Sequence, residues 1–301
     1  MSQVAQKSLP RGRSLLNREK RITYACFLLP CLLLYIVTVI VPFIQGIPYS
    51  FTDFNLMNSD SVNNVGFKWY QNLFNARLGK QFWKAVGNTF QFTLYYILIS
   101  NVIGLMMALL LKNSSKLNNV CRTIIFMPYV LGLITAAFAW RNIYSSVYAP
   151  LFGVTSPLGT PGQAMPAIAI ISSWRTSGYC MLIYLAALQG VPMEYYEAAS
   201  VEGANGVQKF FKITVPMIIP AFSSNVSLLL AWGLKVFEVV NATTKGGPTK
   251  DETLTMSMFV YNNIFTNWKG GYGQASAIIM TLILLAVSFL VSAFFRRQEV
   301  Y

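Results

Sequence analysis

The chain has 301 residues, 54% of them hydrophobic and 11% charged, with a net charge of +13 and a mean hydropathy of +0.49. A soluble domain carries about 25% charged residues to keep its surface wet, so this composition is that of an integral membrane protein. The complete absence of histidine excludes Ser-His-Asp and Cys-His catalysis, His-based zinc motifs and histidine proton relays.

In chain order, the first element is a cytoplasmic basic segment over 1–21. Its Lys7, Arg11, Arg13, Arg18, Lys20 and Arg21 stand directly before an apolar run, the place of an orientation signal and anionic-lipid contact rather than of a nucleic-acid arm. Residues 22–44 are long enough to cross the hydrocarbon core, which takes about 20 residues at ~1.5 Å each. The run is too long for a signal-peptide core and has no Ala-x-Ala site, so it is expected to be retained. An outer loop over 45–87 has turn-rich polar residues at 58–64, then an amphipathic stretch at 67–85. There Trp69, Tyr70, Phe74, Phe82 and Trp83 alternate with Lys68, Arg77, Lys80 and Lys84, which predicts a helix along the membrane surface. Five more spans are expected at 88–111, about 123–144, about 164–188, about 217–240 and 274–295, followed by a cytoplasmic tail at 296–301. With the N-terminus inside, the cytoplasmic pieces hold 13 basic residues in 66 positions and the outer loops 7 in 95. Both termini are therefore expected in the cytoplasm. Cys26, Cys31, Cys121 and Cys180 lie in or beside apolar segments with no CxxC spacing, and no disulfide is expected.

The loop at about 190–216, between the fourth and fifth spans, reads LQGVPMEYYEAASVEGANGVQKFFKITVPMIIP with its flanks. Pro192 suits the start of a helix over 193–201, Gly203 and Asn205-Gly206 permit a left-handed break, and a second helix over 207–214 ends before Pro216 and Pro220. Such an exposed amphipathic hairpin suits docking in a groove on another protein. The pattern Glu197-Ala198-Ala199, Gly203, then Ile213-x-Val215-Pro216 resembles the EAA loop of ABC importer permeases, whose usual ending is Ile-x-Leu-Pro. Phe82 to Thr93 (FWKAVGNTFQFT), Ile124 to Val130 (IIFMPYV) and Thr243 to Thr253 (TTKGGPTKDET) look like the maltose and glycerol-phosphate group of that family. The resemblance covers roughly residues 20 to 297. It implies an all-α, six-helix permease domain over 22–295 with the type I importer fold. It also implies a place in the bacterial cytoplasmic membrane and a coupling role for Glu197, Ala198, Ala199, Glu202 and Gly203 at a separate ATPase. Glu197 is the loop's charged anchor, Gly203 its turn, and the two alanines permit close approach. The implied partners are a second permease, two ATPase subunits and an extracytoplasmic solute-binding protein. The chain itself carries no GxxxxGK[ST] sequence, since GANGVQKF and KGGPTKDET both fail the spacing. No cofactor is expected on it; ATP and Mg belong to the partner ATPase.

Each charge inside a span costs ~2.5–3.5 kcal/mol at mid-bilayer and needs a reason. Arg141, near the outer end of its span, can snorkel. Arg175, beside Trp174 and amid Ser172, Ser173, Thr176 and Ser177, should face protein or a water-filled path. Lys235 and Glu238, spaced i, i+3, either pair with each other or meet solute. Sugars are held by aromatic faces and fixed polar groups. Trp174, Arg175, Tyr179, Trp232, Lys235, Phe237, Glu238 and Asn241 are the substrate-path candidates. The resulting expectation is a non-enzymatic permease subunit importing an oligosaccharide or related carbohydrate. Phosphorylated sugars, polyamines and amino acids remain alternatives. An ion-coupled secondary transporter would have only Glu238 as an intramembrane carboxylate, and would leave the EAA loop unexplained.

Overall fold

Residues 18–57 and 62–296 are described by the structure, a computed structural model; the basic run at 1–17, the turn residues 58–61 and the tail at 297–301 lie outside the described residues. The chain divides into two units, up to Pro48 and from Tyr49 onward. The first is one helical run: α1 (Arg18–Tyr35), a π-turn at Ile36–Ile40, and α2 (Val41–Tyr49). Its stretch Cys26–Tyr49 is long and apolar enough to cross a membrane.

The second unit contains α3 (Lys68–Phe74), α4 (Lys80–Leu110), α5 (Lys116–Val130), α6 (Leu133–Ile143), α7 (Ala149–Phe152) and α8 (Ala164–Gln189). Then come α9 (Met193–Val201), α10 (Gly206–Lys209), α11 (Val215–Met217), α12 (Ile219–Gly233), α13 (Glu238–Thr243), α14 (Met256–Tyr261) and α15 (Gly270–Arg296). The stretch at 67–85 is not the single surface helix that its alternation predicts. Asn75 Oδ1 accepts the N–H groups of Arg77 at 2.9 Å and Leu78 at 3.2 Å, an Asx turn that competes with helix. The chain therefore restarts as α4 at Lys80, and Phe82 is fully buried, 5.4 Å from the Phe259 ring.

Two of the expected spans are also not straight helices. α5 meets the helical run Leu133–Phe152 at 101°, because Leu131 and Gly132 are extended just after Pro128. The fifth is broken twice: Gly206–Met217 and Ile219–Gly233 meet at 60°, and after Gly233 four non-helical residues precede α13. Among the described residues three helices are long and apolar enough to cross a membrane, or up to five if each bent pair counts as one span. The 26-residue α8, with Ser172, Ser173, Arg175, Thr176 and Ser177 at its centre, is not among them.

The core is built on α4 and α8, which run parallel. Ser173 Oγ donates to the Tyr96 carbonyl at 3.4 Å, Ser100 and Thr176 share a hydroxyl contact at 3.2 Å, and Tyr184 donates to Asn101 Oδ1 at 2.6 Å. Ser173, Thr176 and Ser177 are all buried by this packing. Apolar helices in lipid gain little by hydrophobic contact with each other, so small residues and shared hydrogen bonds supply the adhesion. A Cβ on Gly104 would stand 2.7 Å from the Cys180 Cβ, and one on Gly178 would overlap the Ile125 carbonyl of α5. Gly178→Ala should therefore force α5 off α8 and cost about 1–3 kcal/mol, as overpacking does. The thermal unfolding midpoint in detergent, compared with that of Gly87→Ala, where a Cβ meets nothing, measures the loss.

Candidate functional site

The α5–α6 bend and the α12–α13 break open onto one cavity of about 480 Å³. Tyr129 and Leu133 bound it on either side of the α5–α6 bend, and Lys235, Val236, Phe237 and Glu238 supply it from the α12–α13 break. α4 contributes Phe92 and Tyr96, stacked at 5.6 Å, and α8 contributes Ser172 and Arg175. The bend orphans the Leu131 carbonyl, and Arg175 Nε donates to it at 2.9 Å. The same guanidinium lies 5.1 Å from the Tyr129 ring centre, a cation–π contact worth about 0.5–2 kcal/mol. The second break is closed in the same way: Thr255 Oγ1 donates to the Val236 carbonyl at 2.9 Å.

Five of the eight path candidates line this cavity: Arg175, Trp232, Lys235, Phe237 and Glu238. Tyr179 stands behind the lining, 4.9 Å from the Tyr129 ring and 5.8 Å from Trp232. Trp174 faces elsewhere, edge-on to Trp140 at 5.7 Å. Asn241 lies beyond, in two outer clefts. No ion pair joins Lys235 to Glu238 among the described residues, because the i, i+3 rule needs a continuous helix and the chain is non-helical between them. Arg141 reaches one of the outer clefts along with Glu238. Sequence reading missed Phe92, Tyr96 and Tyr129 as lining residues; the i, i+4 spacing of the first two was the available signal. Ser172 Oγ is buried without a hydrogen-bond partner at the cavity wall, so the space suits a polar occupant.

At the α9 end the hairpin is as regular as the sequence suggests, with one difference. α9 spans Met193–Val201 after Pro192, and Gly203 takes φ +77. Asn205 and Gln208 form a reciprocal cap for α10. The second helix runs past Pro216 instead of stopping before it: a π-turn at Phe210–Thr214 leads into α11, which carries Pro216 as its second residue. Lys209 Nζ donates to Ser200 Oγ at 2.6 Å, and the Tyr196 and Thr214 hydroxyls meet at 2.9 Å, holding the two arms together. Ala198, Ala199, Glu202 and Gly203 line a groove between the arms, while Glu197 is exposed outside it. Val201 is 90% exposed, and Met193, Val207 and Phe211 are each exposed by more than 60%. Apolar side chains so placed on a polar hairpin mark an interaction surface.

At the opposite end the segment 244–255 is tied to α4. Asn88 Nδ2 donates to the Asp251 and Leu254 carbonyls, both at 2.9 Å, and the Met256 N–H donates to Thr89 Oγ1 at 2.9 Å. Glu252 accepts the Thr249 hydroxyl at 2.7 Å and the Gly162 N–H, joining two loops. The Thr249 hydroxyl, then the Gly162 amide, hold the Glu252 carboxyl below its ordinary value of 4.5.

Residues 100–300 match the family described as binding-protein-dependent transport system inner membrane component. The chain is 31% identical to the probable starch degradation products transport system permease of Thermoanaerobacterium thermosulfurigenes, over 93% of this chain and 96% of the relative. It is 30% identical to the trehalose/maltose transport system permease of Thermococcus litoralis, over 90% of this chain and 92% of that one. The backbone matches a chain of a bacterial alginate ABC transporter, solved with an alginate pentasaccharide-bound periplasmic protein. The TM-score is 0.77 at 22% identity, covering 94% of this chain and 97% of the other.

The depressed Glu252 carboxyl has a pH consequence. A carboxyl whose folded pKa lies below its unfolded value stabilises fully above the unfolded value, and that contribution disappears as pH falls through the folded one. Exchange protection of the Gly162 amide should therefore be constant from pH 7 down to about 5, then fall in more acid solution. In Glu252→Gln it should be low and flat throughout, as hydrogen-exchange mass spectrometry of the 157–163 peptide can read.

Proposed function

Because the chain belongs to the family of binding-protein-dependent transport system inner membrane components, the transmembrane part of ABC importers, we propose that its solute is an oligosaccharide or related carbohydrate. It is a multi-pass protein of the cytoplasmic membrane and a transport permease subunit. The observation that carries the solute class is the nearly full-length match to sugar permeases. The cavity is consistent with it: ring faces from Tyr129 and Trp232 stand beside polar groups, the pairing that holds a sugar.

The finer architecture belongs to the same proposal. The segment at 1–21 and the tail at 296–301 lie in the cytoplasm, residues 22–295 form six spans, and the bent and broken segments each count as one crossing. A second permease completes the cavity, and an extracytoplasmic binding protein delivers solute to the end where 244–255 is tied to α4. Of two ATPase subunits holding ATP and Mg, one docks on the α9–α10 hairpin and the other on the second permease, with Glu197 as the charged contact here and Ala198, Ala199, Glu202 and Gly203 lining the seat. Lipid covers the remaining apolar faces.

A second reading, an acidic or phosphorylated sugar, is favoured by one observation. Arg175 and Lys235 face the cavity with the single carboxylate of Glu238. Competition between neutral and anionic sugars for uptake separates the two readings.

Uptake by the assembled complex in proteoliposomes tests the proposal. ATP-dependent accumulation of a saccharide is expected. In Glu197→Lys it should fall by at least about tenfold, which corresponds to ~1.4 kcal/mol of lost coupling, with membrane levels of the chain unchanged. Normal uptake in that variant would remove the coupling assignment. Accumulation of amino acids or polyamines but no saccharide would remove the solute class.

A further inference from the structure

The central cavity does not end at Glu238. Phe237 and Glu238 also line a second cleft, which Asn241 and Lys245 continue, and these last two line a third cleft toward the end where 244–255 is tied to α4. Glu238 and Asn241 are spaced i, i+3 on one face of α13 and Lys245 follows in its exit turn, so this stretch borders all three spaces.

The chemistry of the third cleft, about 480 Å³ in volume, is specific. The side-chain amides of Asn241, Asn262 and Asn267 face it and make no hydrogen bond among the described residues. An amide offers both donors and an acceptor, which is what an array of hydroxyl groups requires. Tyr261, which lines the cleft, is the middle of three rings in series: Phe237 to Tyr261 at 4.9 Å and Tyr261 to Phe265 at 5.1 Å between centroids. Tyr261 and Phe265 are 42% and 51% exposed, large apolar surface left facing outward beside unpaired amides. Phe237 belongs to this ladder and to the central cavity at once. The π-turn at Asn262–Thr266 and the return of Asn267 close the cleft's far side.

We propose that this outer cleft is a second saccharide-binding site. It holds a sugar ring on the Tyr261 face and on the amides of Asn241, Asn262 and Asn267, and feeds it along α13 past Phe237 to the central cavity. The inference rests on the reading that the solute is a carbohydrate. It adds a site in series with the central one, and a linear oligosaccharide can lie across both.

Cysteine protection in the assembled complex in nanodiscs tests it. Gln81→Cys and Thr266→Cys each place a thiol in the cleft without removing a proposed sugar contact, and Lys250→Cys places one on the same end outside it. A charged methanethiosulfonate reagent labels them, and mass spectrometry distinguishes these peptides from those of the four native cysteines. The probes are maltotriose, cellotriose, xylotriose and trigalacturonate. One of them should slow labelling at positions 81 and 266 in proportion to occupancy, about fivefold with four-fifths of the clefts filled, and leave position 250 unchanged. Equal rates with and without every probe, or positions 81 and 266 already shielded before any probe is added, would overturn the site. Uptake of the same four probes keeps the two proposals apart. Uptake without protection removes the outer site alone, whereas no uptake and no protection removes the carbohydrate reading with it.

Discussion

A backbone carbonyl freed inside a membrane has no water to turn to, so a chain can interrupt a helix there only where its own side chains accept the cost. This constraint organises the molecule. The α5–α6 bend stands because Arg175 donates to the Leu131 carbonyl, and the α12–α13 break stands because Thr255 donates to the Val236 carbonyl. Both interruptions border the same cavity. Irregular backbone gathers where it lines a polar space, and the space exists because the helices turn aside around it.

Arg175 thus has two faces. Its Nε is committed to the bend and its plane to Tyr129, while the residue also lines the cavity. A charge on an apolar helix is costly when nothing meets it. Here a carbonyl and a ring face stabilise it at the cavity wall, and a lysine would not reproduce the planar fork. Lys235 and Glu238 stand on the far wall without pairing, since the break places them in different local geometries.

The α4–α8 contact links this region to both ends of the bundle. α8 carries Ser172 and Arg175 at the cavity and runs on through Gly190 and Pro192 directly into α9, the first arm of the hairpin. α4 carries Phe92 and Tyr96 at the cavity and, through Asn88 and Thr89, anchors the 244–255 segment at the other end. The close approach at Gly104, where a Cβ would stand 2.7 Å from the Cys180 Cβ, packs α4 tightly against α8, so the cavity and both ends share one closely packed helix pair.

The class of protein and the hairpin are legible in the sequence, because composition, apolar runs of sufficient length and the Pro–Gly punctuation around 192–206 act locally. The coupling role of Glu197, Ala198, Ala199, Glu202 and Gly203 is what the resemblance to the EAA loop implies, not something the local punctuation shows. The sequence also picked out Arg175, Trp232, Lys235, Phe237 and Glu238, since charges and amide or aromatic groups in apolar runs are conspicuous. Tertiary structure alone decided which of the candidates share one space. Trp174 turns to Trp140 and Tyr179 retreats behind Tyr129 because a helix face is assigned by its neighbours, and a helical pattern does not say which neighbour occupies which face. The 101° bend and the break after Gly233 were equally out of reach. Their stability depends on hydrogen bonds from Arg175 and Thr255, residues 44 and 19 positions away in the chain, and no local pattern records a partner that only folding brings near.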